Sequence, residues 1–394
     1  MIITNAHVFY DGEFHDVDVE YNENKILNIG GNLINNCNKA DIIDAGGNYL
    51  FAGFIETHQH GGFRKTFYRN EYSENGENFR GEEDINYILE RLPKYGVTTV
   101  FPTLDVQSVE DSTEALRAIR NARKQGVGAD PMMIHFEGPY LNPERSACLD
   151  PDLCVLPTKE HTMLLVDNDL SDIAIMCLAP ELEGAEEWCR WITGQGVHVE
   201  IGYTLCDSET IKKAADWGAD TTTHFFNGFE AMHHRKDGGI VGCLLEDRLS
   251  HQMTCDGYHV NKSWIKLAVK VKGIDRIYGV TDEFNFSGLE DGEYDNAHYG
   301  KILVQDGLVS VKATGMILGG NNTWDKIMRR ARDVIGLDEI EVAKMYGENP
   351  AKCLGIRDRG KIEVGRRSDF CLMDKDYNVL KTIIRGKVFY EADA

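Results

Sequence analysis

Gly53-Phe54-Ile55-Glu56-Thr57-His58-Gln59-His60-Gly61-Gly62 is a short apolar run that ends in two histidines one residue apart. Alternate side chains of an extended strand point to the same face, so His58 and His60 can converge on one ion. Two hydrogen-bonded imidazoles at a strand end would read the same way in isolation. The Gly61-Gly62 that follows lets backbone approach closely, which suits a crowded site better than a plain turn.

Outward from this run, apolar strand-like segments alternate with helical ones. Strand candidates lie at 97–101, 132–136, 173–178, 197–201, 221–225, 252–255 and 277–281, and 51–57 supplies an eighth. Among the helical segments, 108–125 places Ala115, Leu116, Ile119 and Ala122 on one face, with Ser108 able to cap its start. Eight strands, each followed by a helix or a long loop, predict an α/β chain whose residues 53–357 form a TIM-like (β/α)8 barrel. Residues 1–52 carry short β-like runs at 2–3, 17–19, 25–29 and 41–44, and the stretch from about 358 to 394 has the same texture at 361–364, 369–373 and 381–384. Each end alone is too short to bury a core, so together they predict a small β-sandwich domain built from both chain ends. The acidic stretch 69–84, with Glu71, Glu74, Glu77, Glu82 and Glu83, breaks the rhythm and reads as a surface loop on the face where a lid would hang.

The 394 residues are 42% hydrophobic and 27% charged, an ordinary globular balance. The formal net charge of −22 argues against nucleic acid as a partner, while a small anionic ligand would need a local basic pocket. Ten cysteines form no Cys-x-x-Cys pair, and several sit in apolar runs such as Ile175-Met176-Cys177-Leu178. That usage predicts a reduced, cytoplasmic protein. Neither a secretion signal nor a membrane span is expected from the sequence.

In a barrel of this type the chemistry sits where strands end. His58 and His60 close the first strand candidate, Glu137 the third, His224 the sixth and Asp282 the eighth, and His259 follows the seventh. Each alone is equally explained as a turn cap, but their coincidence in one register points to a site. Histidine and carboxylate ligands with an open position suit zinc or a similar divalent ion, which lowers the pKa of a bound water to about 7. Asp282 is then placed to take that water's proton and pass it to a leaving amine.

His135-Phe136-Glu137-Gly138-Pro139-Tyr140-Leu141-Asn142-Pro143, Thr223-His224-Phe225-Phe226-Asn227-Gly228, His233-His234-Arg235, Asp256-Gly257-Tyr258-His259-Val260 and Val280-Thr281-Asp282 resemble the signatures of the N-acetylglucosamine-6-phosphate deacetylase family, in the amidohydrolase superfamily. The likeness continues through Glu348-Asn349-Pro350-Ala351-Lys352 and Gly360-Lys361-Ile362-Glu363-Val364-Gly365. It implies a homodimeric, metal-dependent amidohydrolase that removes the N-acetyl group of an amino sugar 6-phosphate. It further implies that Glu137 and His224 bind metal, that Asp282 is the acid/base, and that His58 and His60 form a first-strand metal site. Asn227, the backbone of Gly228, Arg235 and His259 would hold the phosphorylated sugar. A guanidinium offers paired donors to phosphate, and the neighbouring Asp237 makes a surface ion pair the alternative for Arg235.

The chain departs from that pattern at four places. Gly202-Tyr203-Thr204 puts Tyr203 where the family has a metal-binding histidine. A tyrosine, with an ordinary pKa of about 10, is a poor substitute at neutral pH. The expectation is therefore one ion, zinc with iron or another divalent metal as alternatives, held by His58, His60, Glu137 and Asp282 with His224 near it. His198 could replace the lost ligand only if the strand register shifted. Ser146-Ala147-Cys148 puts Cys148 where the family has a pocket histidine, Glu283 replaces a usual alanine, and 315–320 replaces a Leu-Ala-Gly-Ser type loop. Three readings follow: an amino sugar phosphate deacetylase, an amidohydrolase for a different N-acyl substrate, and a non-catalytic sugar-phosphate-binding homologue.

Overall fold

The computed structural model describes residues 1–36, 42–69, 79–147, 149–296 and 299–393. β1 (Ile2–Tyr10), β2 (Glu13–Tyr21), β3 (Ile26–Gly30), β4 (Ile42–Asp44) and β5 (Tyr49–Ala52) join the C-terminal strands Phe370–Met373, Val379–Ile384 and Lys387–Glu391 in one eight-stranded sheet. Its centre is the antiparallel pairing of Phe370 with Ala52 and Cys371 with Phe51, which brings the two chain ends together. The period-2 alternation explains why both faces are apolar. Val8, Leu50, Ala52, Phe370 and Leu372 pack into the sheet's own cluster, whereas Phe9, Tyr49, Phe51 and Cys371 face the main core.

The run 51–57, expected as one strand, is two, because β5 ends at Ala52 and a new strand starts at Phe54. Gly53 N donates to Asp369 O and Phe54 N to Gly96 O, so the chain leaves one sheet for another at this residue. A Cβ at Gly53 would lie 2.3 Å from the Thr98 side chain, a contact only glycine avoids.

β6 (Phe54–Gln59), β7 (Val97–Leu104), β8 (Ile134–Tyr140), β9 (Ile173–Leu178), β10 (His198–Ile201), β11 (Thr221–Thr222), β12 (Ser250–Met253) and β13 (Ile277–Gly279) pair side by side in chain order, all parallel. Past β13 the chain returns to β6, where Asp282 N donates to His58 O at 3.1 Å and Glu283 bridges Gln59. Helices such as Val109–Gln125, Ala185–Thr193, Ser208–Trp217 and Lys262–Lys272 connect successive strands. The helix expected at 108–125 forms, with Ser108 accepting from Asp111 N and Ala115, Leu116, Ile119 and Ala122 buried. A four-stranded antiparallel sheet, Gly292–Asn296, Gly300–Gln305, Leu308–Val311 and Ile317–Gly320, follows β13.

β12 begins at Ser250, two residues before the apolar signal, and β11 is only Thr221–Thr222. Polar residues inside the sheet blur these strands: Thr221 is buried against the Tyr278 hydroxyl at 2.7 Å. The run 361–364 is not a strand; Ile362 is buried there, and Gly365 and Arg366 bond to Ile26 instead. Within 69–84, Glu82 and Glu83 open a helix, Glu82–Leu89, and Asp84 is buried with Lys65 Nζ 2.5 Å away. The part of that stretch at 70–78, including Glu71, Glu74 and Glu77, lies outside the described residues. Among the described residues, the cysteines are free thiols and no helix is long and apolar enough to cross a membrane.

Candidate metal centre and substrate cavity

His58 and His60 leave the end of β6 on one face, as the strand period requires, and are 0% and 6% exposed. Their Nε2 atoms lie 3.3 Å apart. His58 Nδ1 donates to Gln252 Oε1 at 2.8 Å, and the amide is held in that orientation because Gln252 Nε2 donates to Glu200 Oε2 at 2.7 Å. The network assigns the His58 proton to Nδ1 and leaves the Nε2 lone pair facing His60. From the middle of β8, Glu137 brings Oε2 to 3.1 Å from His60 Nε2. Asp282, in a left-handed backbone turn with φ 53°, brings Oδ1 to 3.3 Å from His58 Nε2 and 3.5 Å from His60 Nε2.

This donor set fits a divalent cation. Two imidazole nitrogens in van der Waals contact with two carboxylates need a positive charge at their centre. Burial pushes the His60 imidazole down, but hydrogen bonding to Asp282 and Glu137 outweighs it and raises the group to about 9. His58 is raised well above its ordinary value in the same way, against burial, by the charges of Asp282 and Glu137. Burial pushes Glu137 and Asp282 up, and the charge of His58 together with hydrogen bonds from the neighbouring imidazoles holds both well below the carboxylate range. The field that draws protons to these imidazoles equally favours a metal ion.

A second trio, His58, His135 and Glu200, also has its polar atoms close together. Those atoms are already occupied, because His135 Nε2 meets Glu200 Oε1 at 2.6 Å and its Nδ1 meets Thr57 O at 3.1 Å. The trio supports the centre from beneath. Tyr68 donates to Asp105 Oδ2 at 2.8 Å and lies 3.3 Å from His60 Nδ1, while burial raises the Asp105 carboxyl to about 6.

Above the centre is a cavity of about 500 Å³. His60, Glu137, Tyr203, His224 and Asp282 form its floor, Asn227, Gly228 and His259 one side, and Phe284, Phe286, Met316, Ile317 and Leu318 an apolar wall. His259 Nδ1 meets Asp256 Oδ2 at 2.5 Å; burial lowers this imidazole, and Asp256 raises it past its ordinary value. His224 Nε2 lies 2.8 Å from Glu137 Oε1. Tyr203, at φ 48°, donates its hydroxyl to the same Glu137 oxygen at 2.8 Å.

His198 points to the opposite end of β10, with Nδ1 on Asp220 at 2.6 Å and Nε2 on Leu354 O at 3.2 Å, so no register shift brings it to the centre. Arg235 is exposed, donates to His234 Nε2 at 3.1 Å, and is not among the residues lining the cavity. Asp237, expected as its alternative partner, accepts from Ser208. Cys148 lies outside the described residues, and Ala147 and Leu149 on either side of it line the cavity. Sequence reasoning missed Tyr68, Asp105, Glu200 and Gln252. Asp105 follows the second strand run and was open to the same strand-end rule; Glu200 is an acid inside an apolar strand, a signal of its own.

The sequence is 28% identical over 353 residues to the N-acetylglucosamine-6-phosphate deacetylase of Bacillus subtilis, covering 87% of this chain and 86% of that protein. It is 29% identical over 366 residues to the human N-acetylglucosamine-6-phosphate deacetylase, covering 89% and 86%. Among solved structures, the N-acetylglucosamine-6-phosphate deacetylase of Pasteurella multocida superposes with a TM-score of 0.87 at 25% identity over 98% of each chain. That of Thermotoga maritima gives 0.84 at 27% identity over 100% of each. The profile of the amidohydrolase family matches residues 49–389, from the last strand before Gly53 to the last C-terminal strand, and the chain belongs to that family.

Proposed function

We propose that this chain is a metal-dependent deacetylase that hydrolyses the N-acetyl group of an amino sugar 6-phosphate, N-acetylglucosamine 6-phosphate or a close analogue, to the amino sugar phosphate and acetate. The observation that carries it is the convergence of His58 Nε2, His60 Nε2, Glu137 and Asp282 at the floor of a cavity whose side offers Asn227, Gly228 and His259. The activity named for the relatives supports the substrate.

In this reading His58, His60, Glu137 and Asp282 hold one divalent ion, zinc before iron, with His224 beside them. Such an ion would supply Lewis acidity and an acidified water. Asp282, kept ionised at neutral pH, takes the proton of the attacking water as its oxygen adds to the acetyl carbon. When the C–N bond breaks, the same carboxyl group returns the proton to the amine nitrogen. Asn227, the Gly228 backbone and His259 hold the sugar phosphate, and Arg235 reaches the phosphate from its exposed loop by a side-chain rearrangement. Residues 53–357 form a closed (β/α)8 barrel, and 1–52 with 358–394 a small β-sandwich domain. The free cysteines support a reduced, cytoplasmic setting, and the family likeness supports a homodimer.

Metal analysis of the purified protein beside an acetate-release assay on N-acetylglucosamine 6-phosphate and N-acetylgalactosamine 6-phosphate tests the proposal. About one ion per chain with metal-dependent release is the expected result. Bound metal without release favours an amidohydrolase for an unphosphorylated N-acyl substrate. The apolar wall supports that second reading, as does the lack of any lysine or arginine among the described lining residues. A protein that holds no metal would be a sugar-phosphate binder.

A further inference from the structure

We propose that Tyr203 is a catalytic residue: its hydroxyl closes the position a second ion would need and donates the hydrogen bond that stabilises the substrate's amide oxygen as that oxygen acquires charge. The inference rests on the one-ion reading of His58, His60, Glu137 and Asp282. Its first support is an accounting of donors. Tyr203 Oη donates to Glu137 Oε1 at 2.8 Å, and His224 Nε2 approaches the same oxygen at 2.8 Å and the phenol at 2.9 Å. His224 Nδ1 is buried without a partner among the described residues, which puts the ring proton on Nε2, where it has an acceptor. Glu137 Oε1 thus receives two donors, so this side of the carboxylate is satisfied by hydrogen bonds. Its other oxygen, Oε2, faces His60 at 3.1 Å, while His58 Nε2 stands farther from Oε1, at 3.4 Å.

The second support is placement. Tyr203 is 5% exposed and lines the cavity beside Glu137 and His224, the two groups its hydroxyl meets. An entering amide oxygen can take the phenol's hydrogen bond while Glu137 Oε1 keeps the His224 donor, so the exchange leaves no buried carboxylate oxygen bare. The residue is held for this task. Its φ of 48° is fixed by Tyr203 O accepting from Asn142 N at 3.1 Å and by Gly228, where a Cβ would come within 3.1 Å of the Tyr203 ring. A fixed donor aimed at developing negative charge costs no reorganisation during the reaction. The phenol keeps its proton throughout. Asp282 takes the water's proton and returns it to nitrogen, the C–O bond forms, the C–N bond breaks, and no further reactant is required.

The test is Tyr203→Phe, which preserves the ring and removes only the donor. With N-acetylglucosamine 6-phosphate, kcat should fall by about 10²–10³-fold with KM changed little, as for loss of one oxyanion donor. Metal analysis should give one ion per chain in both proteins, with the same melting transition. Calorimetric titration with methylphosphonate, a charged tetrahedral mimic, should show roughly tenfold weaker binding to the variant. Two ions in the parent, loss of the ion from Tyr203→Phe, or equal kcat and equal methylphosphonate affinity would each overturn the proposal. A parent that leaves N-acetylglucosamine 6-phosphate intact would sink the substrate assignment instead, and the metal count and methylphosphonate affinities would still decide the role of Tyr203.

Discussion

At the scale of single residues, His259 and Asp282 face one cavity with opposite electrical demands. In its proposed role as base Asp282 must stay ionised, and against burial the surrounding imidazoles hold its carboxyl down. Replacing it with asparagine is expected to cost at least 10²–10⁴-fold in kcat, measured by acetate release. His259 is raised by Asp256, with Asp282 adding to the effect, so it stays charged above the pH at which an ordinary histidine, of pKa about 6.5, has lost its proton. A charged imidazole holds phosphate, so KM should stay low through neutral pH and rise as pH climbs through this raised value. In His259→Gln, KM should be higher and flat above about pH 7; a parent KM equally flat there would show that His259 does not bind the phosphate. Residues that end a strand run, such as His60, Glu137 and Asp282, could be found in the sequence. Tyr68 could not, because it acts through His60 and Asp105, and the pairing of these residues comes from the fold rather than from spacing.

Between strands, His58 of β6, His135 of β8, Glu200 of β10 and Gln252 of β12 form one hydrogen-bonded layer. Alternate strands contribute it, as parallel sheets of this kind stack their interior. Its product is the orientation of His58. Gln252→Leu should free His58 Nδ1 and weaken metal binding by about 10–100-fold, the usual penalty for losing a hydrogen bond behind a ligand. Competition with a chromogenic chelator measures the change, and unchanged affinity would mean that the layer serves packing alone. The eight strands were legible because most are continuous apolar runs, and β11 and β12 were misplaced at their edges because this interior is partly polar. The expected boundary between the end domain and the barrel fell at Gly53, but the break within the run 51–57 was not read, since a strand that changes sheets keeps its apolar pattern.

Across the whole molecule, the sheet of chain ends packs on the main core through Phe9, Tyr49, Phe51 and Cys371, and a largely buried carboxylate, Asp130, adds a charged clamp. Asp130, on the approach to β8, meets Arg359 at 2.7 Å, Arg367 at 2.6 Å and Arg385 at 3.1 Å, all from the C-terminal segment. The pairing of the ends was readable from their shared β texture, but this clamp joins residues 229 or more apart and leaves no local signal. Arg385 is largely exposed and adds little; Arg359 and Arg367 are more than nine-tenths buried, and without Asp130 they would keep only Asp358 and Asp369 as carboxylate partners. Losing these charge-assisted hydrogen bonds costs about 1–3 kcal/mol, so Asp130→Asn should melt a few degrees lower at neutral pH. Burial pushes the Asp130 carboxyl up, but the guanidiniums hold it far below its ordinary range. A depressed folded-state pKa contributes stability that is fully present above the unfolded value of about 3.9 and is lost as pH falls toward the folded one. The gap in melting temperature between parent and Asp130→Asn should therefore be widest near neutral pH and narrow below pH 4. A gap independent of pH would mean that Asp130 stabilises the junction by packing, without its charge.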